Sequence, residues 1–125
     1  MTKDEKLHLS VVARLPSVIS GRRPCEVCHV RYGDPSRRKP AAGMGQKPDA
    51  KWVIPLTPDE HRLSKEAQHN HNEREWWAKH GIDPIAVCEK LWAVWEKTTS
   101  PAEAEALMES IILRAMAFRM SAFRY

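Results

Sequence analysis

The chain has 125 residues, a length typical of a single domain with a modest hydrophobic core. Its formal net charge is +4, and 42% of its residues are hydrophobic, as in an ordinary soluble protein. No apolar run reaches the roughly 18 residues of a transmembrane helix, and the first residues lack the apolar segment of a secretory signal peptide. Because three cysteines are an odd number and no export signal is found, we expect a reducing cytoplasm and no disulfide framework.

The N-terminal half is predicted to contain little regular structure. Residues 1–14 are expected to form a short helix or an untethered arm. Residues 15–56 are rich in proline and glycine, with short β-prone pieces at 17–20, 25–32 and 51–56. Two extended pieces separated by a long basic loop indicate an irregular β-hairpin rather than a larger sheet.

Four helix-start signals follow the hairpin, each with a side chain that can cap the first turn. They are Thr57 with Pro58 and Glu60, then Asn72, then Asp83 with Pro84, and finally Ser100 with Pro101 and Glu103. Gly81 is expected to end the second helix. The predicted fold class is therefore α+β, an irregular hairpin plus helix with an appended helical C-terminal half.

Basic residues are concentrated in one stretch of the chain. Residues 22–51 hold eight lysines and arginines against three acids, an excess of five that is larger than the net charge of the whole chain. A basic, loop-rich segment is typical of contacts with a phosphate backbone, although a solvated surface explains the charge equally well. The expected nucleic-acid contacts are Arg31, Arg37, Arg38, Lys39 and Lys47.

Cys25, Cys28 and His29 form a C-x-x-C-H motif, which three kinds of chemistry use. Covalent haem attachment is disfavoured because no export signal is present and because Met108 and Met116 recur at the helical spacing of a core stripe. A second interpretation joins both cysteines to His61 and His69 in a Cys₂His₂ zinc site. The third is a catalytic histidine with neighbouring cysteines.

A set of motifs spread over residues 15–84 bears on this choice. The motifs are Leu15-Pro16-Ser17 through Gly21, His29-Val30, Gly43 to Asp49, Ile54 to His61, His69, Asn72-Glu73, Trp76-Trp77, and Gly81 to Pro84. In this order they resemble the phage-type branch of the HNH (ββα-metal) nucleases, related to the phage recombination-enhancement nucleases. The spacing of the set is more specific than any one motif, and the tail after residue 84 is not explained by the nuclease core.

The resemblance implies a role for each of several residues. His29 would be the general base that takes a proton from the water attacking the scissile phosphate, a task that suits an imidazole. A divalent metal ion (Mg, Mn or Zn) would lie against His61 and His69. Cys28 occupies a position where many relatives have a metal-binding His or Asp, and Asp49 is a further candidate ligand.

Two departures from the family pattern concern the metals. Where relatives bind a structural zinc through C-x-x-C and C-x-x-H, this chain has Ser17, Ser20, Thr57 and Glu60. Hydroxyls are poor zinc ligands, so we expect no structural zinc and a fold held by buried tryptophans and the C-terminal helices.

The second departure is the spacing of eight residues between His61 and His69, which is about 12 Å along a continuous helix. One metal cannot span that distance, so either the helix that starts at Thr57 breaks near Leu63-Ser64, or His71 or another group replaces one ligand. We predict the break, because Ser64 is a poor residue for a helix interior and Asn72 can cap a new helix.

Together these features predict a metal-dependent DNA endonuclease or nickase of phage type in the cytoplasm of a bacterial host cell. The predicted domains are an arm or short helix over residues 1–14, an HNH-like core over 15–82 and a C-terminal helical extension over 83–125 that packs on the core. Expected partners are DNA, a recombinase filament and a second copy through the C-terminal helices. The alternative is a non-catalytic nucleic-acid-binding module, either a degenerate HNH domain or a Cys₂His₂ zinc-site domain.

Overall fold

The computed structural model of the chain describes residues 2–42 and 49–122. Its regular elements are the helices α1 (Lys3–Val12), α2 (Glu73–Lys79), α3 (Pro84–Lys97) and α4 (Pro101–Ala122) and the strands β1 (Glu26–His29) and β2 (Val53–Leu56). Short helical turns are found at Pro35–Arg37, Asp59–Leu63 and Gln68–Asn70. Mixed helix and strand in this order confirm the predicted α+β class.

The two strands form the predicted hairpin. They pair antiparallel, with Glu26 opposite Leu56 and His29 opposite Val53. Four residues in each strand make a small sheet, and the long basic loop connects its ends. The predicted loop residue Lys47 lies outside the described residues.

The N-terminal segment is a helix rather than an arm. The Thr2 hydroxyl accepts a hydrogen bond from the Glu5 backbone N–H, and the Glu5 carboxylate accepts one from the Thr2 N–H, which together form a capping box. Val11 and Val12 at the other end of α1 are buried. The capping box therefore stabilises the first turn of α1, and the buried valines pack its other end against the rest of the fold.

The predicted caps are present at the later helix starts. The Thr57 hydroxyl accepts from the Glu60 N–H at 3.2 Å, and the Thr57 N–H donates to the Glu60 carboxylate at 2.9 Å. The side chains of Asn72, Asp83 and Ser100 accept hydrogen bonds from backbone N–H groups three residues ahead. Gly81, with a φ of +69°, follows α2 in the left-handed region that glycine favours.

The predicted break in the helix after Thr57 is confirmed. A single π-helical turn covers Asp59–Leu63, and Ser64 then takes an extended conformation with φ −84° and ψ 163°. Helical backbone resumes only in the short turn Gln68–Asn70 and again in α2. The chain therefore folds back on itself between His61 and His69 instead of extending along one axis.

One hydrophobic cluster joins the hairpin to the C-terminal helices. Val53 and Ile54 of β2 share it with Leu91 of α3 and Met108 of α4. The tryptophans expected to replace a zinc in holding the fold, Trp52, Trp76 and Trp77, are buried in it. None of the helices within residues 2–42 and 49–122 combines the length and hydrophobicity of a membrane span.

Candidate functional site

Four polar side chains meet beside the start of β1, and we call them the Glu26 cluster: Glu26, His61, Arg62 and His69. The Glu26 carboxylate lies 2.8 Å from His61 Nδ1 and accepts two hydrogen bonds from the Arg62 guanidinium, at 2.8 Å from Nε and 3.0 Å from Nη2. Strand pairing brings these side chains together. Glu26 lies opposite Leu56, the last residue of β2, and the turn that follows β2 carries His61 and Arg62.

His61 and His69 are in direct contact. Their ring centroids are 4.3 Å apart and the rings meet edge to face, at an interplanar angle of 66°. Because the backbone turns back after Leu63, the spacing of eight residues does not separate the rings as a continuous helix would. The pair that the metal prediction requires is therefore formed.

Electrostatics in the Glu26 cluster favour a charged Glu26 carboxylate and a neutral His69 imidazole. Hydrogen bonds from Arg62, and then from His61, hold the pKa of Glu26 below its ordinary value. Burial, followed by the nearby His61, lowers the pKa of His69. With Glu26 as the acceptor at Nδ1, a neutral His61 keeps its Nε2 lone pair available for another ligand.

The resemblance to the HNH nucleases implies a divalent ion, and the Glu26 cluster offers part of a coordination shell for one. Two imidazoles, one of them oriented by a carboxylate, suit zinc or manganese better than magnesium. Among the described residues, however, no group of three or more His, Cys, Asp or Glu side chains is placed to hold a metal. Water and substrate oxygens would have to complete the shell around this pair.

Cys28 does not join the two histidines as a ligand. Its side chain is 1% exposed, and its sulfur lies 3.9 Å from the Gln68 side-chain oxygen. Burial raises the pKa of the Cys28 thiol well above its ordinary value, and among the described residues Cys28 forms no metal-binding group of three with the two histidines. We therefore correct the predicted ligand set by removing Cys28.

The Cys₂His₂ arrangement is not assembled among the described residues either. Cys25 lies just before β1 and Cys28 within it, and the Cys28 sulfur lies 3.9 Å from the Gln68 side-chain oxygen. The Cys25 thiol contacts the Arg22 carbonyl at 3.4 Å, and burial raises its pKa to about 12. Asp49 is exposed, and its backbone carbonyl accepts the Trp52 N–H. It belongs to no group of three metal-binding side chains in the part described.

His29 is the last residue of β1 and is half-buried. Successive strand residues point to opposite faces, so His29 leaves the sheet on the face opposite Glu26 and Cys28. The strand itself therefore does not direct His29 and the Glu26 cluster to one point. His29 and the Glu26 cluster could therefore contact the same molecule only if that molecule extended around the end of β1 to both.

The predicted phosphate contacts fall into two groups. Arg31 and Arg38 have exposed side chains, and Arg38 occupies the left-handed region with a φ of +58°. Arg37 instead forms ion pairs with Asp34 at 3.1 Å and with Asp83 at 2.7 Å. Its guanidinium is thus already bound to two carboxylates, which makes it a structural link rather than a contact ready for phosphate.

Lys39 is the larger correction, because its side chain is only 2% exposed. Its ammonium donates to the backbone carbonyls of Tyr32 and Pro40 and lies 5.6 Å from the centre of the Trp52 ring. Burial lowers the pKa of Lys39. A lysine in this position holds the basic loop together and is not exposed for contact with a phosphate.

Two acidic residues with structural roles in the site were not predicted. Glu26 was counted only as a charge, and nothing in its neighbours along the chain indicates His61 as its partner. Glu73 accepts hydrogen bonds from the backbone N–H groups of Arg31 and Tyr32, at 3.0 and 3.1 Å. It thereby attaches α2 to the chain just after β1, although burial raises its pKa.

The four positions where the HNH resemblance places a lost structural zinc, Ser17, Ser20, Thr57 and Glu60, form a hydrogen-bond network here. The Ser17 hydroxyl donates to the Glu60 carboxylate at 2.5 Å and accepts from the Ser20 N–H at 3.2 Å. The same Glu60 oxygen accepts from the Thr57 N–H. The network joins the segment before β1 to the turn after β2.

No family model, curated protein or solved structure matches this chain. The resemblance to the HNH nucleases therefore depends on the motifs themselves. Two structural observations are compatible with the resemblance: a hairpin followed by a broken helical turn, and the contact between His61 and His69.

Proposed function

We propose that this protein is a metal-dependent DNA endonuclease or nickase. The observation that carries the proposal is the contact of His61 with His69, 4.3 Å between ring centroids, beside a two-stranded hairpin. Residues eight apart in a chain meet in this way only when the helix between them is broken, and here Glu26 also orients one of the rings. An arrangement built around two imidazoles suits a divalent ion.

Each part of the chain has its own task in the proposed reaction. His29 takes the proton from the attacking water. His61 and His69 would hold the ion, whose positive charge would stabilise the negative charge that develops on the phosphate and on the leaving oxygen. Arg31 and Arg38 contact the phosphate backbone and position the strand.

A nicking assay on supercoiled plasmid tests the proposal. The wild-type protein should convert the plasmid to open circles with manganese or magnesium and not with EDTA. His29→Ala and His69→Ala should abolish nicking while binding to DNA is retained, and His71→Ala, at an exposed histidine of the same segment, should not. Activity that survives His29→Ala would contradict its role as the general base.

DNA binding is tested separately by the salt dependence of the dissociation constant. Replacing Arg31 or Arg38 with alanine should reduce the slope of log K against log salt by about one for each phosphate that the protein no longer neutralises. Lys3→Ala, at an exposed lysine of α1, serves as the control. An unchanged slope in both arginine variants would remove this surface from the interface.

A DNA-binding domain without catalysis is the second candidate. It is favoured by the absence, among the described residues, of a group of three metal-binding side chains. Binding of plasmid without nicking in magnesium, manganese or zinc would support this candidate over the nuclease.

A further inference from the structure

A groove of about 570 Å³ runs between the start of α3 and the second half of α4. Its apolar lining includes Val87 of α3 and Ile111, Ala115 and Phe118 of α4. Phe118 is 76% exposed, although large aromatic side chains are usually well buried. An apolar groove with an exposed aromatic at its edge is typical of a surface that binds a partner.

The charges around this groove are predominantly positive. Lys90 and Arg114 line it with exposed side chains, and neither is in an ion pair among the described residues. The one acidic residue of the lining, Asp83, is already bound to Arg37 at 2.7 Å. The two cations are therefore available to an incoming negative charge.

We propose that the groove binds an acidic peptide segment of a partner protein, with apolar side chains in the groove and carboxylates on Lys90 and Arg114. Charge complementarity selects this occupant over a second copy of the chain. In a two-fold dimer the same patch meets itself, so the cations of one groove would approach those of the other. An acidic segment instead neutralises them. This inference is independent of the proposed nuclease activity.

The test measures the binding of a short fluorescein-labelled peptide that combines aspartates with leucine and phenylalanine, by fluorescence anisotropy on the full chain. A peptide with lysine in place of each aspartate is the control ligand. The wild-type protein should bind the acidic peptide and not the basic one. The double change Lys90→Glu with Arg114→Glu should weaken binding roughly tenfold or more.

Because a basic protein attracts any acidic peptide, a matched variant is needed. Lys3→Glu with Lys6→Glu makes the same change in net charge at exposed positions of α1 and should change the dissociation constant by less than about twofold. Phe118→Ser should also weaken binding, and its exposure makes a folding defect unexpected.

Three results would overturn the proposal. Equal losses of affinity in the two double variants would show unspecific attraction, and failure of the acidic peptide to bind would show that the groove does not take this ligand. Concentration-dependent dimerisation by sedimentation, abolished in Phe118→Ser, would assign the groove to a second copy.

Discussion

His8 is a buried titratable group whose effect on stability can be predicted in detail. It is 0% exposed in α1, with its ring 4.9 Å from that of Trp92 and 5.5 Å from that of Trp95, centre to centre. Within the described part of the chain, neither ring nitrogen has a hydrogen-bond partner. Burial lowers the pKa of His8 from 6.5 to about 4, and the nearby Asp4 opposes this only in part.

The sign of the effect follows from proton linkage. The folded state binds the proton less tightly than the unfolded state, so His8 destabilises the fold as the pH falls from 6.5 towards 4. At about 1.4 kcal/mol per pH unit, the total loss is about 3 kcal/mol. The effect is absent above about pH 7.5, where both states carry a neutral ring.

Replacing His8 with leucine should remove this dependence. Near pH 7.5 the variant should be more stable by about 2 kcal/mol, because each of the two unpaired buried nitrogens costs about 1–3 kcal/mol, whereas each of the two aromatic ring pairs contributes only about 0.5–1.5 kcal/mol. Near pH 4.5 the advantage should grow by about 2–3 kcal/mol.

Urea unfolding followed by tryptophan fluorescence at both pH values measures the difference between the two proteins. Other titrating groups cancel in that difference when the rest of the fold is unchanged. His8→Gln separates the two causes, since it keeps a polar side chain but cannot titrate. An equal stability difference between wild type and His8→Leu at both pH values would refute the reasoning.

Three further outcomes are expected. Glu60→Ala should lower the free energy of unfolding by about 2–3 kcal/mol, because the buried Ser17 hydroxyl and the Thr57 N–H lose their acceptor. The control Asp59→Ala, at an exposed position, should change it by less than about 0.5 kcal/mol. Equal losses of stability in the two variants, measured by urea unfolding, would contradict this role of Glu60. Glu26→Gln should weaken the binding of manganese or zinc about 10- to 100-fold in calorimetry, because the His61 imidazole is no longer oriented by a carboxylate. The control Glu66→Gln, at an exposed position, should leave the affinity unchanged. Unchanged affinity in Glu26→Gln would exclude Glu26 as the residue that orients His61. Elemental analysis after mild purification should find less than one tightly bound zinc per chain, and a stoichiometric amount would show that other ligands replace the missing cysteines.

The helix starts were predictable because their causes are local. Thr57, Asn72 and Asp83 each bond a backbone N–H three residues ahead, so the partners stand close together in the sequence itself. The break before Ser64 was predictable for a different reason. The resemblance requires His61 and His69 to reach one metal. Because eight residues of a continuous helix rise about 12 Å, the helix between them had to break.

The amino-acid sequence by itself determined where the helices begin and that two short extended segments form a hairpin, since caps and β-prone runs act over a few residues. Only the tertiary structure decided which charged residues face solvent. Glu26 meets His61 across 35 positions and Arg37 meets Asp83 across 46, while Lys39 is buried against Tyr32 and Trp52. Such burial and pairing depend on how distant segments pack, so a basic run in a sequence does not show which of its charges remain free to bind phosphate.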